Sequence, residues 1–180
     1  MIIILLADGF EEIEALTPAD ILRRAGYDVK TVGITNKIAV GSHGIPVICD
    51  LDINEVNLDS VTLAVFPGGM PGALNLDASP FTDKVIDAVM KNGGRLAAIC
   101  AAPLVFGRRG LLSGKEAVCY PGFESELVGA KIPEDKTTVT DGIFTTSKGM
   151  GTALDFSREL LSLLSGENKA KDIFSAIMYE

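Results

Sequence analysis

The sequence predicts a doubly wound α/β fold: a mostly parallel sheet with helices on both faces, plus one small β-hairpin. Three observations predict it. Short apolar, largely β-branched runs at 2–6, 63–66 and 96–99 lack polar alternation, as strands buried on both faces do. Segments with apolar residues at helical spacing separate these runs, and strands alternating with helices build parallel crossovers. Gly, Pro and Asp-Gly pairs punctuate the changes of period. At 180 residues, the chain is long enough for a sizeable core within one domain spanning 1–180.

Residues 2–6 form the first strand, and Asp8-Gly9 turns the chain. A helix follows over 12–25, with Ile13, Leu16, Ile21 and Leu22 at helical spacing. Pro18 predicts a kink or break at Thr17, and Gly26 ends the helix. Residues 28–34 are the second strand. Segments 37–40 and 45–49 flank Gly41-Ser42-His43-Gly44 as a hairpin or edge excursion, and 53–60 is a polar loop or short helical turn. Strand 63–66 runs into Pro67-Gly68-Gly69-Met70-Pro71-Gly72. Ser79-Pro80 opens a helix over 81–91, which Gly93-Gly94 closes. Strand 96–99 leads through Cys100 into a helix over 101–108, with Pro103 in its first turn. Beyond Gly110, 117–120 reads as a strand and 124–128 as a short helix. Residues 137–140 and 143–147 form a hairpin about Asp141-Gly142. Helices over 152–164 and 169–178, separated by Gly166, finish the chain.

The net charge of −8 and pI near 4.7 argue against nucleic acid and anionic membrane surfaces as partners. The apolar run 2–7 is too short for a signal sequence and has no positive flank, so a soluble, cytoplasmic protein is expected. Cys49, Cys100 and Cys119 show no CxxC spacing and read as free thiols in a reducing compartment. One histidine and three scattered cysteines make no metal set, and no cofactor motif appears.

Sites in such folds form outside the carboxyl ends of strands, where three loops meet. Cys100 falls at a tight strand-to-helix turn that exposes its side chain and aims helix amides at it, which should ease loss of the thiol proton. The same position equally suits a small residue filling a crowded turn. Gly68-Gly69 either presents bare backbone amides to a developing oxyanion or simply makes a tight turn. Glu14 closes an acidic run with Glu11 and Glu12. It either turns inward, buried and protonated beside a thiolate, or belongs to an acidic first turn favoured by the helix dipole. His43 reads as a surface residue, and Cys49 and Cys119 as packing residues.

Five segments together resemble the DJ-1/ThiJ/PfpI superfamily of the class I glutamine-amidotransferase-like fold: strand 2–6 leading to Glu11-Glu12-Ile13-Glu14; Arg23-Arg24-Ala25-Gly26; Phe66-Pro67-Gly68-Gly69; Ala97-Ala98-Ile99-Cys100-Ala101-Ala102-Pro103; and Thr146-Ser147-Lys148-Gly149-Met150-Gly151-Thr152. The resemblance runs from Ile2 to about Leu164 and is nearest the DJ-1/YajL-like branch. It implies a flavodoxin-like three-layer sandwich and a homodimer with the first helix near the interface. It also implies a Cys100 nucleophile supported by a protonated Glu14, and oxyanion amides at Gly69 and Ala101 beside Gly68. Ala101 stands where the protease-like branch has histidine. Tyr120-Pro121 stands where some members have His-Pro, and Met150 replaces a common proline. Tyr120, Pro121 and Met150 are therefore expected at the site rim.

The activity so implied is cofactor-independent and of the glyoxalase or deglycase type, acting on small reactive 2-oxoaldehydes or their protein adducts. The alternative is an oxidative-stress sensor or redox chaperone working through a Cys100 sulfinate. A non-catalytic module with a structural Cys100 is a third possibility. An amidase or peptidase is disfavoured because no second histidine exists.

Overall fold

The computed structural model describes residues 1–179. Seven strands form one sheet in the order β5-β2-β1-β6-β7-β9-β8. They are β1 (Ile2–Leu6), β2 (Val29–Gly33), β5 (Leu51–Asp52), β6 (Leu63–Phe66), β7 (Arg95–Ile99), β8 (Thr138–Asp141) and β9 (Phe144–Ser147). All neighbours run parallel except β8, which pairs antiparallel with β9 through the predicted turn. Strands β3 (Ile38–Val40) and β4 (Pro46–Ile48) form the separate antiparallel hairpin.

The unbroken apolar strands serve two layers at once. In β1, Ile3 and Leu5 join one core while Ile2, Ile4 and Leu6 join the other. The first core is closed by α2 (Gly72–Ala78), α3 (Pro80–Lys91) and α4 (Pro103–Arg108) through residues such as Leu76, Val85 and Phe106. The second is closed by α1 (Glu12–Arg24), α5 (Ala153–Ser165) and α6 (Glu167–Ala176) through Leu22, Phe156 and Phe174.

Chain direction decides where a site can sit. From β1 the chain passes through α1 to β2 on one side, and later returns to place β6 on the other. The order therefore reverses between β1 and β6. Their carboxyl ends carry the loops 7–11 and 67–71, and β7 beside them ends at Cys100. A crevice at such a reversal is where ligands enter open α/β sheets.

Several local expectations are corrected. α1 runs through Pro18 without a break at Thr17. Proline deletes the amide that would reach the Glu14 carbonyl, at a cost of about 3 kcal/mol in an isolated helix. Burial of Ala15, Ala19, Ile21 and Leu22 against the sheet and α5 holds the helix regardless. The helix ends as expected: Gly26, at φ 91°, donates to the Arg23 carbonyl while Tyr27 donates to that of Leu22. Segment 53–60 is the expected polar loop with a short helical turn, a 3₁₀ turn at Leu58–Ser60, but the two-residue edge strand β5 before it was not expected. Helix α2 has no counterpart in the sequence reading, because Pro71 and Gly72 at its start read as loop. Residues 117–120 form no strand. The Ala117 amide donates to the Lys131 carbonyl and the Val118 amide to Thr146 Oγ1, so no ladder forms.

Candidate functional site

The crevice brings together residues from three strand ends. β7 delivers Cys100, β6 delivers Gly68 and Gly69, and the first turn of α1 delivers Glu14. Cys100 has φ 64°, the left-handed region that non-glycine residues avoid. Its backbone is tied on both sides: the amide donates to the Ser147 carbonyl at 2.9 Å, and the carbonyl accepts from the Tyr120 amide at 2.8 Å. Ala102 completes the turn by donating to the Ile99 carbonyl at 3.1 Å. Strain of this kind persists only where the surroundings over-determine it.

Glu14 turns inward and is fully buried. Its Oε2 accepts the Gly68 amide at 2.9 Å. Its Oε1 is enclosed and takes no hydrogen bond of normal geometry. The approach is possible only because residue 68 has no side chain. A Cβ there would lie 2.6 Å from Cys100 Cβ, 2.8 Å from Glu14 Oε2 and 2.9 Å from the Ile99 carbonyl. Gly69, at φ 85°, packs equally closely against the backbone of residues 9–11.

The electrostatics follow from this enclosure. Burial pushes the Glu14 carboxyl up to about 7, against the pull of hydrogen bonds from Cys100 and Gly68. The Cys100 thiol is pushed up to about 12, first by burial and then by the charge of Glu14, against hydrogen bonds from the Gly69 and Ala101 amides. The expected easing of thiol ionisation by a helix N-terminus is therefore reversed. α4 begins only at Pro103 and spans six residues, so two loop amides, not a helix end, face the sulfur. The thiol and the carboxyl compete for protons as one pair. With Glu14 protonated its charge no longer opposes the thiolate, and its O–H becomes a donor for it.

Tyr120, Pro121 and Met150 line one cleft together with Lys148, Gly149 and Thr152. It opens beside the pair: a Cβ on Gly149 would stand 3.3 Å from the Tyr120 ring and 4.0 Å from Glu14 Oε1. Cys49 and Cys119 are buried in packing positions, whereas Cys100 is partly accessible.

His43 is not part of this arrangement. It sits at the hairpin tip, where Nδ1 lies 2.8 Å from Glu12 Oε2 and 3.6 Å from Glu11 Oε2. The His43 backbone amide also donates to Glu12 Oε1 at 2.9 Å. Glu12 is buried, which pushes its pKa up, yet its hydrogen bonds with the His43 side chain and with backbone amides outweigh burial and hold it at about 2. The pair pins the hairpin to the start of α1. The expectation of no metal set weighed only histidine and cysteine. The fold places ligand atoms of Glu11, Glu12 and His43 within 4.8 Å of one another, a carboxylate grouping that this expectation overlooked. The alternation of Glu12 and Glu14 about Ile13 was the available signal. Both acids are buried, one towards the hairpin and one towards Cys100, while Ile13 is exposed.

A model of the DJ-1/PfpI family matches residues 1–163. Protein dj-1beta of Drosophila melanogaster is 34% identical over 178 residues, covering 98% of this chain and 95% of its own. The crystal structure of Drosophila DJ-1beta superposes with a TM-score of 0.93 at 33% identity, over 98% of this chain and 96% of that one. A Pyrococcus abyssi protein named a deglycase is 30% identical over 91% of this chain and 98% of its own. A Caenorhabditis elegans protein named a glutathione-independent glyoxalase is 27% identical over 98% of this chain and 94% of its own.

Proposed function

The chain belongs to the DJ-1/PfpI family, and from that premise we propose that it is a cysteine-dependent enzyme acting on reactive 2-oxoaldehydes or their protein adducts. The observation that carries this reading is the pairing of Cys100, held at φ 64°, with a buried Glu14 carboxyl that exchanges its proton at about 7. A group poised there is suited to general acid–base work at neutral pH.

In this reading the Cys100 thiolate adds to the aldehyde carbon of R–CO–CHO, forming a C–S bond. The Gly69 and Ala101 amides, which face the sulfur, receive the oxyanion. Glu14, protonated while it supports the thiolate, gives that proton to the oxyanion; its carboxylate then takes the proton from the former aldehyde carbon and returns it to the neighbouring carbonyl carbon through an enediol. The resulting thioester is cleaved by water to a 2-hydroxy acid and free thiol. Overall, one 2-oxoaldehyde and one water become one 2-hydroxy acid, with no external oxidant or reductant. A protein adduct enters through the same first addition. Methylglyoxal consumption by wild type and Cys100→Ser tests the scheme: the serine variant should lose nearly all turnover, and a wild-type rate in that variant would sink it.

A second reading rests on accessibility. Of the three thiols only Cys100 is partly exposed, so mild peroxide should oxidise it first, and a protonated Glu14 would hydrogen-bond the sulfinate. Mass spectrometry separates this sensor role from general oxidation, which would spread over Cys49 and Cys119. We also propose self-association through exposed apolar side chains of the first helix, Ile13 and Leu16, and of the hairpin, Ile45 and Ile48. Sedimentation equilibrium of Ile48→Asp, which should shift a dimer towards monomer, tests it.

A further inference from the structure

We propose that the cleft walled by Tyr120, Pro121 and Met150 is an apolar subsite for the substituent R of the substrate, so that aryl- and long-chain alkylglyoxals are preferred to methylglyoxal. The proposal rests on the reading of the Cys100 site above and names the substrate class that site prefers.

Position makes the cleft a subsite of the reacting centre. The Tyr120 amide donates to the Cys100 carbonyl at 2.8 Å, so the wall and the nucleophile belong to one rigid unit. Gly149, which leaves room for the Tyr120 ring, also borders Glu14 Oε1, the enclosed oxygen without a hydrogen-bond partner. In the proposed pose a substrate bonded to Cys100 Sγ projects its R group along this wall, which borders the pair through Gly149. Volume agrees: the cleft, open on one side, offers about 350 Å³, more than the methyl group of methylglyoxal needs.

The wall itself decides what chemistry it takes. Tyr120 and Met150 are 51% and 54% exposed, so their apolar surface is open to a ligand at the cleft. Two polar side chains of the wall already hold hydrogen bonds to neighbouring protein groups. Lys148 Nζ donates to the Glu134 carbonyl at 3.1 Å. Thr152 Oγ1 lies 2.7 Å from Ser147 Oγ and donates to the Gly149 carbonyl at 2.8 Å. What remains to meet R is a ring face, a proline edge and a thioether. These favour aromatic and alkyl groups through burial and stacking. A polar R would find only the Tyr120 hydroxyl and the spare Lys148 donors on a mostly apolar wall, and so gains less there than an apolar one.

The test compares kcat/KM for phenylglyoxal and methylglyoxal in wild type, Tyr120→Ala, Met150→Ala and the double variant. Single apolar groups in such pockets discriminate by about tenfold or more. Wild type should therefore prefer phenylglyoxal at least about tenfold, with the ratio dropping several-fold in each single variant and towards unity in the double variant. Equal kcat/KM values in wild type, or a preference that survives both substitutions, overturns the subsite. A second readout needs no turnover: alkylation of Cys100 by 2-iodo-N-phenylacetamide against iodoacetamide, each normalised to its rate with free cysteine. An acceleration of the phenyl reagent that is lost in the double variant supports the subsite even if neither glyoxal is consumed, an outcome that would defeat the enzymatic reading alone. Equal normalised rates overturn the subsite whichever way turnover falls.

Discussion

Replacing Glu14 by glutamine should make the protein more resistant to a rise in pH, and the size of the effect follows from the buried carboxyl. Its pKa rises from 4.5 to about 7 in the folded chain. At about 1.4 kcal/mol per pH unit, that amounts to about 3 kcal/mol. Below pH 4.5 the folded and unfolded chains both hold this proton, so it has no bearing on stability. Between 4.5 and about 7 only the folded chain holds it, and each rise in pH favours unfolding. Above about 7 the loss is complete and the curve flattens. Glutamine keeps an oxygen for the Gly68 amide and leaves a buried NH₂ where Oε1 had no partner. That exchange costs about 1–3 kcal/mol at every pH, so the diagnostic quantity is the pH slope. Urea unfolding of wild type and Glu14→Gln from pH 4.5 to 8.5 measures it, since apart from Cys100, which the charge of Glu14 keeps protonated across this range, the other titrating groups are common to both proteins. The wild-type free energy should fall relative to the variant by about 3 kcal/mol across that range. A difference that stays constant with pH would refute the reasoning, because Glu14 would then not be exchanging a proton in the folded state.

The same variant removes the charge that opposes thiolate formation, so alkylation of Cys100 should reach its half-maximal rate at lower pH than in a chain with Glu14 ionised; iodoacetamide kinetics read this directly. Gly68→Ala should fold but displace the Cys100–Glu14 pair, since its Cβ would overlap both side chains, lowering turnover by about a hundredfold or more. Cys100→Gly should be more stable than Cys100→Ala by about 0.5–1 kcal/mol in thermal unfolding, because glycine accepts positive φ without strain. His43 is raised by its hydrogen bond to Glu12 and by the charges of Glu11 and Glu12. A raised histidine contributes fully at low pH and loses its contribution as pH climbs through the folded value, so His43→Ala should lower Tm more at pH 6 than at pH 9.

Such a buried acid is a local conflict in an otherwise consistent fold, and conflicts of this kind gather at functional positions. Glu14 weakens the folded chain at neutral pH and supplies the one carboxyl that meets Cys100. Gly68 and Gly69 allow that meeting by leaving no side chain in the way.

Much of this architecture was legible in the sequence because strand burial is a property of runs, not of partners. Strands 2–6 and 63–66 and the hairpin about Asp141-Gly142 have the same places in the structure. Their apolar residues need a two-sided core, and a turn of that composition admits few geometries. Cys100 and the glycine pair could be placed at strand ends for the same reason. Helix α2, the passage of α1 through Pro18 and the loop at 117–120 were not legible, because packing and single hydrogen bonds from distant residues decided each against local preference. The proton chemistry was the least legible part. Sequence spacing favours different surroundings for Glu12 and Glu14 only if Ile13 faces the core, whereas Ile13 is exposed and both acids are buried. Only the folded chain gives one acid a histidine, holding it at about 2, and encloses the other beside Cys100, where burial raises it to about 7 against the hydrogen bonds it accepts. Two identical side chains two residues apart differ because desolvation and charge act through space, and neighbours in space are set by topology.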